Sequence, residues 1–156
     1  MILSQLQAYL DDHHIKYQVL SHSPAYTAQE LAAVEHIPGQ QVAKVVMVRK
    51  KDTGMPVMLV LPASYKVNLA KLTELTGTEV YLEPEGEFHD LFPGCETGAE
   101  PPFGNLFGLQ TCVDESLTQD EEIVFNGGTH RQTVRMRYQD FAQLVHPRVA
   151  RFAQHV

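Results

Sequence analysis

Three stretches of this sequence carry groups that could do chemistry. The first is Lys44, inside "VAKVVMV", where every neighbour within two positions is apolar. On a strand buried on both faces a lysine is costly unless it is paired or reaches a cleft. On an edge strand it snorkels to water, and spacing alone leaves both readings open. The second stretch is "GAEPPFGNLFG", Gly98 to Gly108. Its glycines and adjacent prolines exclude a helix interior or a central strand. Only Glu100 and Asn105 offer polar side chains, so the stretch is either a rigid turn or a loop that presents backbone N–H groups to a ligand. The third is "NGGTH", where His130 follows Gly127 and Gly128. Its plain reading is a polar glycine turn between two strands.

Taken together, a lysine on a core strand, a Gly/Pro loop and a Gly-Gly-Thr-His turn could converge on a small pocket with no strong nucleophile and no metal. Such a pocket acts by positioning and by backbone hydrogen bonds. Other chemistries find little support. The eight histidines form no HxH, HxxH or HExxH spacing, and Cys95 and Cys112 form no CxxC pair. No GxSxG elbow is present. Basic residues gather at Arg49, Lys50 and Lys51, and again at Arg131, Arg135 and Arg137, which share strand parity. These are a solvated face by default, or a phosphate track in the sharper reading. A net charge of −7 argues against broad, non-specific nucleic-acid binding.

The elements that must position these groups alternate along the chain. "SQLQAYLDDHH" puts Leu6, Tyr9 and Leu10 on one helical face, with Ser4 and Gln7 at capping-box spacing. "IKYQVL" reads as a strand. "TAQELAAVEHIPG" opens with a second capping box, Thr27 and Glu30, and is stopped by Pro38 and Gly39. "VAKVVMVRK" and "PVMLVLP" form the clearest hairpin, across "KDTGM". "NLAKLTELTG" is a short helix capped by Asn68, with Gly77 just past its end. "EVYLEP" is a strand and "EGEFHDLFPG" a helical turn. "QTCVDESL", "EIVFNGG" and "QTVRMRY" supply further strands, "YQDFAQLVHP" a helix and "RVARFAQHV" an amphipathic tail. With 156 residues, 44% hydrophobic and 20% charged, a single packed domain over residues 1–156 is expected. Its fold class is α+β: a curved, mixed, mostly antiparallel sheet or partly closed barrel, with helices packed outside. No apolar run is long enough to span a membrane, the first residues lack the basic region of a signal peptide, and two unpaired thiols fit a reducing cytoplasm.

The order and spacing of "HSPAYTAQELAA", "VAKVVMVRK", "LVLPASYKVNLAKL", "LFPGCETGAEPPFGNLFGL", "VDESL" and "IVFNGGTHRQTVRMRYQDFAQLVHP" resemble the YbaK / prolyl-tRNA synthetase-associated editing domain family, the free-standing aminoacyl-tRNA deacylases. "GAEPP" matches that family's GxxxP motif, and "VAK" the strand that carries its key lysine. The resemblance implies hydrolysis of the ester between a wrong amino acid and the terminal adenosine of a tRNA, without metal or organic cofactor. It implies roles too. Lys44 holds the phosphate or ribose of the tRNA 3′ end. The loop of Gly98, Ala99, Glu100, Pro101 and Pro102 offers backbone N–H groups to the aminoacyl carbonyl. The wall formed by His22, Tyr26 and Thr27 sizes the amino acid, and Gly127, Gly128 and His130 close the pocket. Glu100 is expected to point to solvent or to contact the substrate's amino group. The expected partners are a mischarged aminoacyl-tRNA and a synthetase or elongation factor, with neither membrane nor DNA. Two other readings stand beside this one: a binding module for a tRNA end, nucleotide or synthetase without turnover, and a small-molecule hydrolase with His130 as general base.

Overall fold

The computed structural model describes residues 1–155, apart from the side chain of Glu85. Helix α1 (Ser4–Asp12) leads into strand β1 (Tyr17–Ser21) and helix α2 (Ala28–Val34). The hairpin is β2 (Ala43–Lys50) with β3 (Pro56–Pro62), followed by β4 (Tyr65–Val67), α3 (Leu69–Thr76), β5 (Val80–Leu82) and the single turn α4 (Glu85–Phe88). Then come β6 (Gln110–Asp114), β7 (Glu122–Thr129), β8 (Gln132–Arg137), α5 (Tyr138–Val145), β9 (Arg148–Ala150) and β10 (Ala153–His155).

The α+β class holds, but the strands are not closed into a barrel. They form a five-stranded sheet in the order β5-β2-β3-β6-β9, a three-stranded sheet β1-β8-β7 and a pair β10-β4. In the large sheet β2 runs antiparallel to β3 and β5, whereas β3, β6 and β9 are mutually parallel. Strand β3 lies between β2 and β6, which is why "VMLVLP" is buried throughout and does not alternate. The main core joins Met47, Met58 and Val60 of the large sheet to Phe125, Val134 and Met136 of the small one. Phe103 and Phe141 fill the space between them.

Local chemistry sets the element ends. Thr27 Oγ1 accepts the Glu30 N–H at 3.0 Å, and Asn68 Oδ1 accepts the Lys71 N–H at 3.1 Å. Gly77 closes α3 in the left-handed conformation. The Ser4–Gln7 capping box does not form: α1 already begins at Ser4 and has no side-chain cap, because the Leu3 N–H is held by the Gly127 carbonyl at 2.7 Å. The tail after α5 extends into β9 and β10. Asp114 pins it by accepting the N–H groups of Phe152 and Ala153, both at 2.9 Å, and Phe152 is fully buried.

The feature that makes the site is the seam between the sheets. A single parallel bridge, Val42 to Val124, joins the start of β2 to β7. Beyond it the strands part. Lys44 and Asn126, each two residues on, both stand in the cleft that opens there.

Candidate functional site

The cleft has a volume of about 390 Å³. Its walls are the turn into α2 (Tyr26, Thr27), the first half of β2 (Ala43 to Val46), the loop residues Gly98 and Glu100, and Asn126. Strand β2 can line it because β5 pairs only with Val48, Arg49 and Lys50 and leaves the earlier flank uncovered. Lys44 therefore lies on a strand interior to the sheet order, at a stretch whose β5 flank is open, and it reaches the cleft there. Its ammonium donates to the Ala63 carbonyl at 3.2 Å, and partial burial holds its pKa below that of a free lysine.

The structure brings together Lys44, Gly98, Glu100, Tyr26 and Thr27 of the residues expected at the site. The others lie elsewhere. Ala99, Pro101 and Pro102 are buried beneath the loop. Gly127 and Gly128 pack against the N-terminal segment: a Cβ on Gly127 would come within 2.6 Å of Ile2, and one on Gly128, whose φ is +103°, within 3.1 Å of Leu3. They belong to β7, not to a turn. The strand register slips between Asn126 and Thr129, and the turn falls at His130 and Arg131. His22 faces a separate depression with Ser21, Glu96 and Arg131, and its Nε2 lies 3.8 Å from the Glu35 carboxylate.

His130 is a strut. It is 6% exposed, with Nε2 2.7 Å from the Thr97 carbonyl and Nδ1 3.2 Å from the Ala25 carbonyl. Its ring packs on Tyr26 with centroids 4.8 Å apart. Both nitrogens face carbonyl oxygens of the two segments that wall the cleft, so neither presents a lone pair to a substrate. That geometry does not support His130 as a general base.

Of the two expectations for Glu100, solvent or the substrate's amino group, the first is not what the structure shows. It is 7% exposed, and its two carboxylate oxygens accept the Gly98 N–H at 2.8 and 3.0 Å. Gly98 has φ +88°, a conformation that favours glycine and folds the loop back over its own amide. The Ala99 N–H is also committed, to the Glu96 carbonyl at 3.0 Å. The Gly98 and Ala99 amides are thus taken up locally in this state, and a ligand oxygen reaches the Gly98 N–H only by replacing a carboxylate. Burial, together with the charge of Glu100, pushes the neighbouring Cys95 thiol up to about 12.

Sequence reasoning missed Asn126. Its Oδ1 is buried and has no hydrogen-bond partner among the described residues. The available signal was a polar residue ending the apolar run "EIVF", just before two glycines. The basic clusters do not line the cleft. Arg49 is tied to Glu83 at 2.7 Å and Lys51 to Glu79 at 3.0 Å. Arg131 sits at the β7–β8 turn, and Arg137 bonds to Gln139. Among the described residues no three His, Cys, Asp or Glu side chains gather as a metal-binding group, and no helix is long and apolar enough to cross a membrane.

Comparison with known proteins adds four findings. The model of the aminoacyl-tRNA editing domain matches residues 22–144. An Escherichia coli K12 protein named "Multifunctional Ser/Thr-tRNA deacylase ProXp-y" is 25% identical over 152 residues, covering 95% of this chain and 90% of that one. Among solved structures, one described as a "putative trans-editing enzyme for prolyl tRNA synthetase" superposes with a TM-score of 0.80 at 25% identity, over 96% of this chain and 95% of that one. A hypothetical protein superposes with a TM-score of 0.87 at 20% identity, over 97% of this chain and all of its own length, a likeness of fold alone.

Proposed function

The chain belongs to the aminoacyl-tRNA editing domain family, and on that footing we propose that its cleft hydrolyses the ester joining a mischarged amino acid to the terminal ribose of a tRNA. The observation that carries this reading is the convergence of the Lys44 ammonium, the Gly98 amide and the Asn126 acceptor on one cleft. A terminal phosphate or ribose suits the half-buried cation of Lys44, and a carbonyl oxygen that gains charge on attack suits the Gly98 N–H once Glu100 releases it. Water attacks the carbonyl carbon, the bond to the ribose oxygen breaks, and that oxygen takes up a proton. The walls contributed by Ala28, Ala43, Val45 and Val46 suit a small amino acid.

Multiple-turnover deacylation of a panel of mischarged tRNAs tests this. Seryl and threonyl esters come first, because the E. coli relative is named for them. Turnover of at least one ester is the expected result. Binding without turnover across the panel would make the protein a holder of tRNA ends.

Thiol chemistry should be dispensable. Cys95 is buried beneath the loop, its thiol is held almost wholly protonated at neutral pH, and neither cysteine lines the cleft. The Cys95→Ser, Cys112→Ser double variant should deacylate within about twofold of the native rate, since the nucleophile in thiol catalysis is the thiolate. Loss of activity in a folded double variant would contradict the mechanism.

A further inference from the structure

Resting on the reading just given, we propose that Asn126 and Glu100 together form the seat of the substrate's α-ammonium group, so that the site accepts esters with a free amine and rejects N-acylated ones. An aminoacyl ester brings a cation with three N–H donors into the cleft. To leave water it needs a counter-charge and acceptors. Glu100 is the one carboxylate among the residues that line the cleft. Of the other polar groups, Thr27 Oγ1 is engaged as the cap of α2, Lys44 is itself a cation directed at Ala63, Tyr26 packs its ring on His130, and Gln29 is a neutral amide that brings no counter-charge. Asn126 Oδ1 is a buried acceptor lacking a donor, an arrangement that is unfavourable until a ligand supplies one.

Both side chains line the one cleft, and the backbone ties together the segments that carry them. The Gly128 N–H donates to the Ala99 carbonyl at 3.0 Å, and the Glu96 N–H donates to the Gly128 carbonyl at 2.8 Å. These bonds stitch the strand carrying Asn126 to the loop carrying Glu100. The same placement explains why Glu100 covers the Gly98 amide. When an ammonium arrives, it offers the carboxylate, besides N–H donors, a full counter-charge in a partly desolvated cleft, which the neutral Gly98 amide does not. The carboxylate shifts to the ammonium, and the amide is uncovered for the carbonyl oxygen three bonds away. Recognition of the amine and assembly of the oxyanion donor become one event. N-acylation removes the charge and leaves Glu100 on its amide, with Asn126 unsatisfied.

The test is single-turnover deacylation of an aminoacyl-tRNA and of its N-acetyl derivative, each corrected for spontaneous hydrolysis, by the native protein, Glu100→Gln and Asn126→Leu. The native protein should favour the free amine by about 100-fold or more. Each variant should lose about 10- to 100-fold on the free amine, the range for a hydrogen bond to a charged group, and the preference should shrink accordingly. Equal native rates on the two esters would overturn the proposal. So would a loss in Asn126→Leu confined to hydroxylated amino acids and absent for alanine, which would assign the acceptor to the side chain. Binding of 3′-aminoacylamino-adenosine against its desamino counterpart, on the native protein alone, decides the matter if a variant misfolds. It also separates this proposal from the reading beneath it. Absence of all turnover sinks the deacylase reading, whereas equal binding of the two amides sinks the ammonium seat.

Discussion

Lys44→Met should lower deacylation by at least about 100-fold and leave the melting temperature unchanged or higher. The two halves of this result have one cause. Lys44 reaches the cleft from an interior strand, donates to a single carbonyl and forms no salt bridge with a carboxylate among the described residues. Burial lowers its pKa, so the folded protein binds that proton less tightly than the unfolded chain does. The charged lysine therefore costs stability at neutral pH, and the cost fades as pH rises through its folded pKa towards the unfolded value. Methionine keeps the length and apolar contacts of the stem without the charge. A group retained at a cost to stability must act on something absent from the apoprotein, and removing one partner of a desolvated charge pair typically costs 2–5 kcal/mol, roughly 30- to 5000-fold. Thermal melts beside single-turnover rates check both halves. A destabilised but active variant would make Lys44 a structural residue.

A tRNA whose terminal ribose lacks the hydroxyl beside the ester should bind normally and be hydrolysed about 100- to 10,000-fold more slowly, the range expected for loss of an acid–base group. The basis is what the cleft does not offer. Both nitrogens of His130 are directed at carbonyl oxygens, and the Glu100 oxygens are committed to the Gly98 amide and, on the proposal above, to the ammonium. The substrate's own hydroxyl is then the group best placed to orient the water. His130→Ala on the normal substrate should have a milder effect, acting through Tyr26 and the tie between Ala25 and Thr97. Fast hydrolysis of the deoxy substrate, with a dead His130 variant, would return the base to the protein.

Much of this was legible in the sequence where short-range chemistry governs. The Thr27 and Asn68 caps, the β2–β3 hairpin and the apolar run of β3 all follow from local pattern. Legibility failed where a distant segment decides. Whether Lys44 faces a cleft depends on how far β5 runs along β2, which nothing near Lys44 encodes. Gly127 and Gly128 resemble a turn, yet their lack of side chains serves contact with Ile2 and Leu3, more than a hundred residues earlier in the chain. Which of its two expected settings Glu100 takes was not legible, because the fold that returns it to the amide two residues back needs the positive φ of Gly98. Asn126 was hidden because an unsatisfied acceptor is a property of its surroundings, not of its residue type.

The single bridge between Val42 and Val124 gives this architecture a jaw. The reacting groups ride on its two sides, while its opening is set behind them by a small cluster: Ala25, Ala32 and Ala63 beside Leu31, Ile37, Val42 and Val124. Enlarging Ala25 or Ala32 would wedge α2 away from the sheets without replacing any partner of Lys44, Gly98 or Asn126. On the function proposed above, the gauge that measures an amino acid is thereby uncoupled from the machinery that cuts its ester. A lineage can retune which error it corrects through methyl groups in a hydrophobic hinge, and leave the reaction itself alone.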